Sequence, residues 1–236
     1  RHHGDKKKGK EHFERKLAAC LADAKRVCRP DGLLVVMFAH QSTEAWTSLI
    51  NALFEAGLSV TATYPIDTEL RNRRIALDVS ALESSITVIC RPRQVGSAAS
   101  FRDVRREIER TVAASVHRFW DYGFRGADLI VACYGPAVGV FGRYERVERA
   151  DGTPVGVPEL LELVKELALK TIADQARRQL FVDVAAIFLL DPHSLRFENL
   201  VVQGANTPEI SSLRIRLGET IIGRAALERQ PIIIPD

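Results

Sequence analysis

The chain has 236 residues, 46% hydrophobic and 27% charged, a composition that suits a soluble globular protein of one large or two ordinary domains and excludes collagen-like repeats and general disorder. No apolar run approaches the ~18 residues that span a bilayer, and no charged-then-apolar leader is present, so no membrane partner is expected and the cytoplasm is the expected compartment. The net charge of +3 is uneven, because residues 1–30 hold ten Lys/Arg against four Asp/Glu and the remainder is slightly acidic.

The run from Asp5 to Lys10 suits contact with nucleic-acid phosphates, or simply a solvated approach to a helix, which is the commoner use of a short charge run. From His12 to Cys28 the apolar positions Phe13, Leu17, Cys20, Leu21, Ala24 and Val27 keep helical spacing, and Arg29-Pro-Asp-Gly32 ends that helix. Leu33 to Ala39 is a strand without polar alternation, which predicts burial on both faces. Its polar tip, His40 to Thr43, lies at the carboxyl end of the strand, where ligands of α/β sheets sit. Ser42 or Thr43 caps a helix carrying Trp46, Leu49, Ile50, Leu53 and Phe54, which ends at Gly57.

Two further strands follow, Leu58 to Tyr64 and Ser84 to Cys90, with the polar stretch Asp67 to Arg74 between them. Strand, helix, strand, polar excursion, strand is the order of the last part of class I methyltransferase folds, and of many other α/β folds. Phe101 to Trp120 is a helix, Gly123 to Pro136 holds a short apolar element, and Asp151-Gly152 favours a tight hairpin turn. A long helix opens at Val157-Pro158 and runs through about Phe181. The character then changes to strands at Val184 to Leu190, Phe197 to Val202 and Ser212 to Leu217, a short helix Ile221 to Leu227, and a strand Ile232 to Ile234. The cysteines Cys20, Cys28, Cys90 and Cys133 lack metal-hook spacing and read as buried reduced thiols, so no metal is expected.

Several blocks in the first part stand in a recognisable order. They are Arg1-His-His-Gly-Asp5, Pro30 to His40, Thr68-Glu-Leu-Arg-Asn-Arg73, Arg118 to Asp128, Gly135-Pro136 and Tyr144 to Val147. With them the first 157 or so residues resemble the C-terminal part of adenine-specific DNA methylases of a zinc-ribbon-containing family. The resemblance implies S-adenosylmethionine as cofactor and DNA as partner of a complete parent protein. It also implies a glycine-rich cofactor turn and an Asp/Asn-Pro-Pro-Tyr/Phe loop that receives a flipped base, and neither occurs in these residues. By carry-over His40, Ser42, Thr68, Glu69, Arg71 and Asn72 border the active cleft, with no catalytic residue within the segment. Read by their own chemistry, His40 caps a helix and the Thr68 to Asn72 set pins a hairpin equally well.

The later blocks are Asp183 to Pro192, Leu200 to Gly204, Leu217-Gly-Glu-Thr-Ile-Ile-Gly-Arg224 and Gln230 to Asp236. From Val157 to Asp236 the chain resembles the N-terminal half of a GAF domain, a small-molecule sensory module, with Thr220 where the family's Gly-Glu-Gly has its second glycine. No cysteine follows Cys133 to attach a bilin, and the ligand is not specified. The stripe Leu160, Val164, Leu167 and Ile172 of the leading helix serves either a homodimer or packing within the chain.

The expected fold class is thus α/β, the C-terminal part of a class I, Rossmann-like methyltransferase sheet followed by a partial α+β GAF-like domain. The expected parts are late methyltransferase strands and helices at 1–95, a helical extension with hairpin at 96–156, and the GAF-like half at 157–236. Function reads first as a fragment of a DNA amino-methyltransferase, inactive by itself. The alternatives are a GAF-type sensor carrying a methylase remnant, or two genes joined by an assembly fault.

Overall fold

The computed structural model describes residues 6–40, 42–67, 84–94, 96–191, 194–204, 210 and 213–234. The chain is a mixed α/β protein of two compact units, residues 1–167 and 168–236. No helix among the described residues is long and apolar enough to cross a membrane.

In the first unit, helix α1 (Lys6–Val27) buries Ala18 and Leu21, while Phe13 and Val27 stay exposed. It packs on α2 (Thr43–Glu55), where the Ser48 hydroxyl donates to the Glu14 carboxylate. The predicted stripe of α2 is buried at Trp46, Leu49, Ile50 and Leu53, and the helix stops before Gly57, whose φ of +70° suits a residue without a side chain.

Three strands, β1 (Leu34–Phe38), β2 (Leu58–Asp67) and β3 (Ser84–Pro92), form a sheet in the order β1-β3-β2. β3 lies antiparallel between the other two, so β1 and β2 run in the same direction and are joined across it by α2. A bulge between Val60 and Ala62 switches the side-chain parity of β2, and beyond it Thr63 rather than Ala62 joins Val88 and Cys90 on the buried face.

The expectation that Leu33 to Ala39 is buried on both faces is corrected here. Among the described residues β1 is an edge strand, and Val35 and Met37 are 54% and 62% exposed. Tyr64 and Ile66 of β2 are exposed on the same face of the sheet. A run of apolar residues carries no mark of which face is covered, so continuity alone gave the wrong burial.

The buried face is covered by two short helices, α4 (Gly126–Ala132) and α5 (Tyr134–Phe141), where the sequence suggests one apolar element. Gly135 and Gly139 lie one turn apart on the side of α5 facing β2. A methyl at Gly135 would collide with Thr63, and one at Gly139 would stand 3.0 Å from the Val60 carbonyl oxygen. Helix α3 (Phe101–Asp121) buries Val104, Ile108, Val112, Val116 and Phe119 as its period requires, and packs on α4 and α5.

Strands β4 (Ala99–Ser100) and β5 (Val147–Glu148) pair in parallel. The turn at Asp151-Gly152 is held by hydrogen bonds from the Thr153 N–H and hydroxyl to Asp151, which draw that carboxyl below its usual range. Helix α6 (Val157–Gln179) begins in this unit, where Leu160, Leu161 and Val164 are fully buried.

In the second unit β6 (Val184–Asp191), β7 (Arg196–Gly204) and β8 (Ile215–Arg216) form an antiparallel sheet in that order, followed by α7 (Thr220–Glu228). Residues 231–234, expected as a strand, have no regular structure, and Ile233 is 87% exposed.

Candidate functional site

The tip after β1 is built as a strand-to-helix turn. Ser42 is extended, with φ −76° and ψ 133°, and its Oγ accepts from the Ala45 N–H at 3.2 Å. This satisfies one of the donors that a helix start leaves unpaired. His40 Nδ1 accepts the Ser42 N–H at 3.0 Å, and the His40 carbonyl accepts from the Trp46 indole N–H at 2.7 Å. The turn is therefore held on both sides of His40, whose Nδ1 is engaged in it.

Beneath the tip, Phe38 meets Trp46 edge-on at 4.9 Å, and Trp46 meets Tyr134 at 5.8 Å. Burial pushes the Tyr134 hydroxyl above its usual range, against a hydrogen bond with Thr43 that lowers it. Tyr134 escaped the sequence reading because it stands far from the tip in the chain, beside the Gly135-Pro136 pair. His40 and Ser42 are thus brought together, as neighbours in one turn. Thr68, Glu69, Arg71 and Asn72 lie outside the described residues.

The four cysteines are free thiols. Cys90 and Cys133 are buried, and burial pushes both thiols up to about 12, for Cys133 against the opposing charge of Arg118. Cys20 is exposed and Cys28 half-buried, contrary to a uniform reading of buried thiols. No cluster that suits a metal ion occurs among the described residues.

In the second unit the loop between β8 and α7 closes on itself. The Gly218 N–H donates to the Gly223 carbonyl at 2.9 Å, and the Glu219 N–H donates to the Arg216 carbonyl at 3.0 Å. Gly218 has φ +84°, and Gly223 packs on the Gly218 backbone so closely that a methyl there would stand 3.1 Å from its nitrogen. Thr220 holds φ +58°, a left-handed conformation that a β-branched side chain disfavours. The departure from Gly-Glu-Gly is thus a point of backbone strain. At the far end of the sheet Gly204 has φ +115° and lies against the Asp183 carbonyl, which leaves no room for a side chain.

No curated protein and no solved structure is significantly similar to the chain. Residues 165–236 match the GAF domain family, and the matched segment contains β6, β7, β8, the closed Gly218 to Gly223 loop and α7.

Proposed function

We propose that the chain is a sensory protein whose GAF domain binds a small molecule. The observation that carries this reading is the family match over residues 165–236, which includes the antiparallel sheet and the loop before α7. GAF domains commonly bind small ligands and dimerise. In α6 the residues Leu160 and Val164 are already fully buried within one chain, so a dimer through this helix draws on Leu167 and Ile172, which are half-buried. The test is thermal unfolding of the whole chain against cyclic nucleotides, tetrapyrroles, purines and amino acids, with hydrogen exchange read over residues 184–228. A dose-dependent rise in midpoint with added protection in that segment supports the proposal, and no response from any compound overturns it.

A second reading is favoured by one observation. An antiparallel β3 between two strands of like direction is the arrangement that the final hairpin of a class I methyltransferase sheet produces. On this reading residues 1–95 are late methyltransferase elements, 96–156 their extension and 157–236 the GAF-like part. His40, Ser42, Thr68, Glu69, Arg71 and Asn72 border a cleft that a complete parent completes with S-adenosylmethionine and DNA.

The residues present do not fit the cofactor. The turn from β1 to α2 contains no glycine, and Gly135 and Gly139 are spent on close packing against β2. The test is calorimetry of the whole chain with S-adenosylmethionine, for which no heat is expected. Together with this, the sequence upstream in the genome should encode a glycine-rich turn and a Pro-Pro-Tyr loop. Upstream sequence lacking both would remove the second reading.

A further inference from the structure

A cleft of about 750 Å3 lies in the first unit between β2, α3 and α5, and neither His40 nor Ser42 lines it. Its volume falls in the range of pockets that hold small organic ligands, about 300–1,000 Å3. Three arginines line it, Arg110 and Arg118 of α3 and Arg143 just past α5, and among the described residues no Asp or Glu lines it.

Of the acids of α3, Asp103 pairs with Arg106 and Glu109 with Arg105, and Asp121, one turn beyond Arg118, does not line the cleft. Glu107 tempers the cleft through its ion pair with Arg143 at 2.7 Å. Arg110 and Arg118 have no acidic partner among the described residues, and Arg118 rests over the Phe119 ring at 4.9 Å. Uncompensated arginines facing one concavity repel each other unless an anion joins them, which is a cost that a bound ligand relieves.

The remaining lining fits the same ligand. Thr111 and Ser115 add hydroxyl-bearing residues to the lining, and Thr61, whose hydroxyl donates to the Ile89 carbonyl at 3.2 Å, and Tyr64 border the cleft from β2. Among the described residues β2 is the outer strand of its sheet, so the cleft runs along an edge. Guanidinium forks bind phosphate oxygens in pairs, and hydroxyls complete the set.

We propose that this cleft binds a phosphate-bearing ligand of nucleotide size, either free or as a unit of a single nucleic-acid strand. An acidic peptide pairing with the β2 edge is the competing occupant, but an extended strand at an edge leaves a concavity of about 750 Å3 unfilled.

The test uses the whole chain. Pyrophosphate and AMP are titrated by calorimetry, and a short labelled single-stranded oligonucleotide by fluorescence anisotropy, with a poly-glutamate peptide as competitor. Arg110→Ala and Arg118→Ala should each weaken binding at least about tenfold, since a hydrogen bond to a charged group contributes ~1.5–3 kcal/mol and 1.4 kcal/mol is tenfold. Both positions are exposed, and an unchanged circular dichroism melt verifies the fold of each variant.

Glu107→Gln releases Arg143 and should tighten binding by about two- to fivefold, a gain that a purely structural role for these residues does not produce. Binding of AMP with no gain for the oligonucleotide identifies a free ligand, and the reverse, with a steep salt dependence, identifies the strand. Absence of binding by every phosphate probe, equal affinity in the Arg110→Ala variant, or displacement by poly-glutamate at equal concentration overturns the proposal.

Discussion

Replacing Gly135 by alanine tests how α5 is seated on the sheet. The new Cβ would stand 2.6 Å from Thr63 Cβ and closer still to its γ atoms, whereas ordinary Cβ contacts begin at 3.4 Å. Thr63 is 3% exposed, and its hydroxyl donates to the Ala132 carbonyl at 3.1 Å. Its Cβ is fixed to the backbone of β2, so that contact alone requires the helix to move outward by about 0.8 Å, the difference between those two distances, and the γ atoms require more.

Two effects oppose each other. Alanine is favoured over glycine in a helix by ~1 kcal/mol. Against this, overpacking costs ~1–3 kcal/mol, and a weakened buried hydrogen bond to Ala132 adds ~1 kcal/mol. The clash wins, and the variant should be less stable by about 1–3 kcal/mol, which for a chain of this size lowers the midpoint by roughly 2–12 °C.

Urea unfolding followed by circular dichroism measures the loss. Adding Thr63→Ala to Gly135→Ala should recover part of it, because the γ atoms go while the Cβ contact stays, giving a measurable coupling in the double-mutant cycle. A Gly135→Ala variant as stable as the parent would show that α5 does not press on Thr63.

Thr220→Gly should stabilise the chain by about 0.5–1 kcal/mol. It relieves a left-handed β-branched residue, a strain of ~1–2 kcal/mol, at the entropic cost that glycine carries in the unfolded chain; a lower urea midpoint would refute this. Arg93 holds the end of α5 through Nε to the Gly142 carbonyl at 2.9 Å and a terminal nitrogen to the Tyr144 carbonyl at 2.7 Å, and it lies over the Phe54 ring at 4.4 Å. Arg93→Ala should cost about 2–4 kcal/mol and Arg93→Lys less, since an ammonium cannot span both carbonyls; equal unfolding curves for all three proteins would contradict the contact set. A thiol reagent at pH 8 should modify Cys20 and Cys28 in the native chain, and Cys90 and Cys133 only in denaturant. Because those two thiols titrate higher in the folded chain than in the unfolded one, the stability they contribute should be constant below pH about 9 and be lost as pH rises toward about 12, and no loss of stability across that window would refute their burial.

Elements with a strong period were legible in the sequence. The α2 stripe, its Ser42 cap and the α3 core face follow from spacing and cap chemistry alone, as does the Asp151-Gly152 turn. The burial of β1 was not legible, because five apolar residues read the same way in a central strand and in an edge strand. Likewise Gly123 to Pro136 conceals two helices, since glycines that admit a neighbouring strand look like breaks when the strand is unknown. At the tip, Ser42 was legible as a cap, while Tyr134 was not. The arginine cleft was illegible for a different reason. Arg110 and Arg118 share a helix face with Ala114 between them, a hint in hindsight, but Arg143 joins them only through the packing of α5 on β2.

The outer border of β1 also governs how the chain behaves in concentrated solution. Leu34–Phe38 contains no lysine, proline or bulge of the kind that blunts a sheet border, and its Val35 and Met37 side chains face water. Such a strand is a template for recruitment by any extended segment of a neighbouring molecule, a route to association that does not require the core to unfold. Handling of the chain should therefore keep concentrations low even at temperatures far beneath its unfolding midpoint.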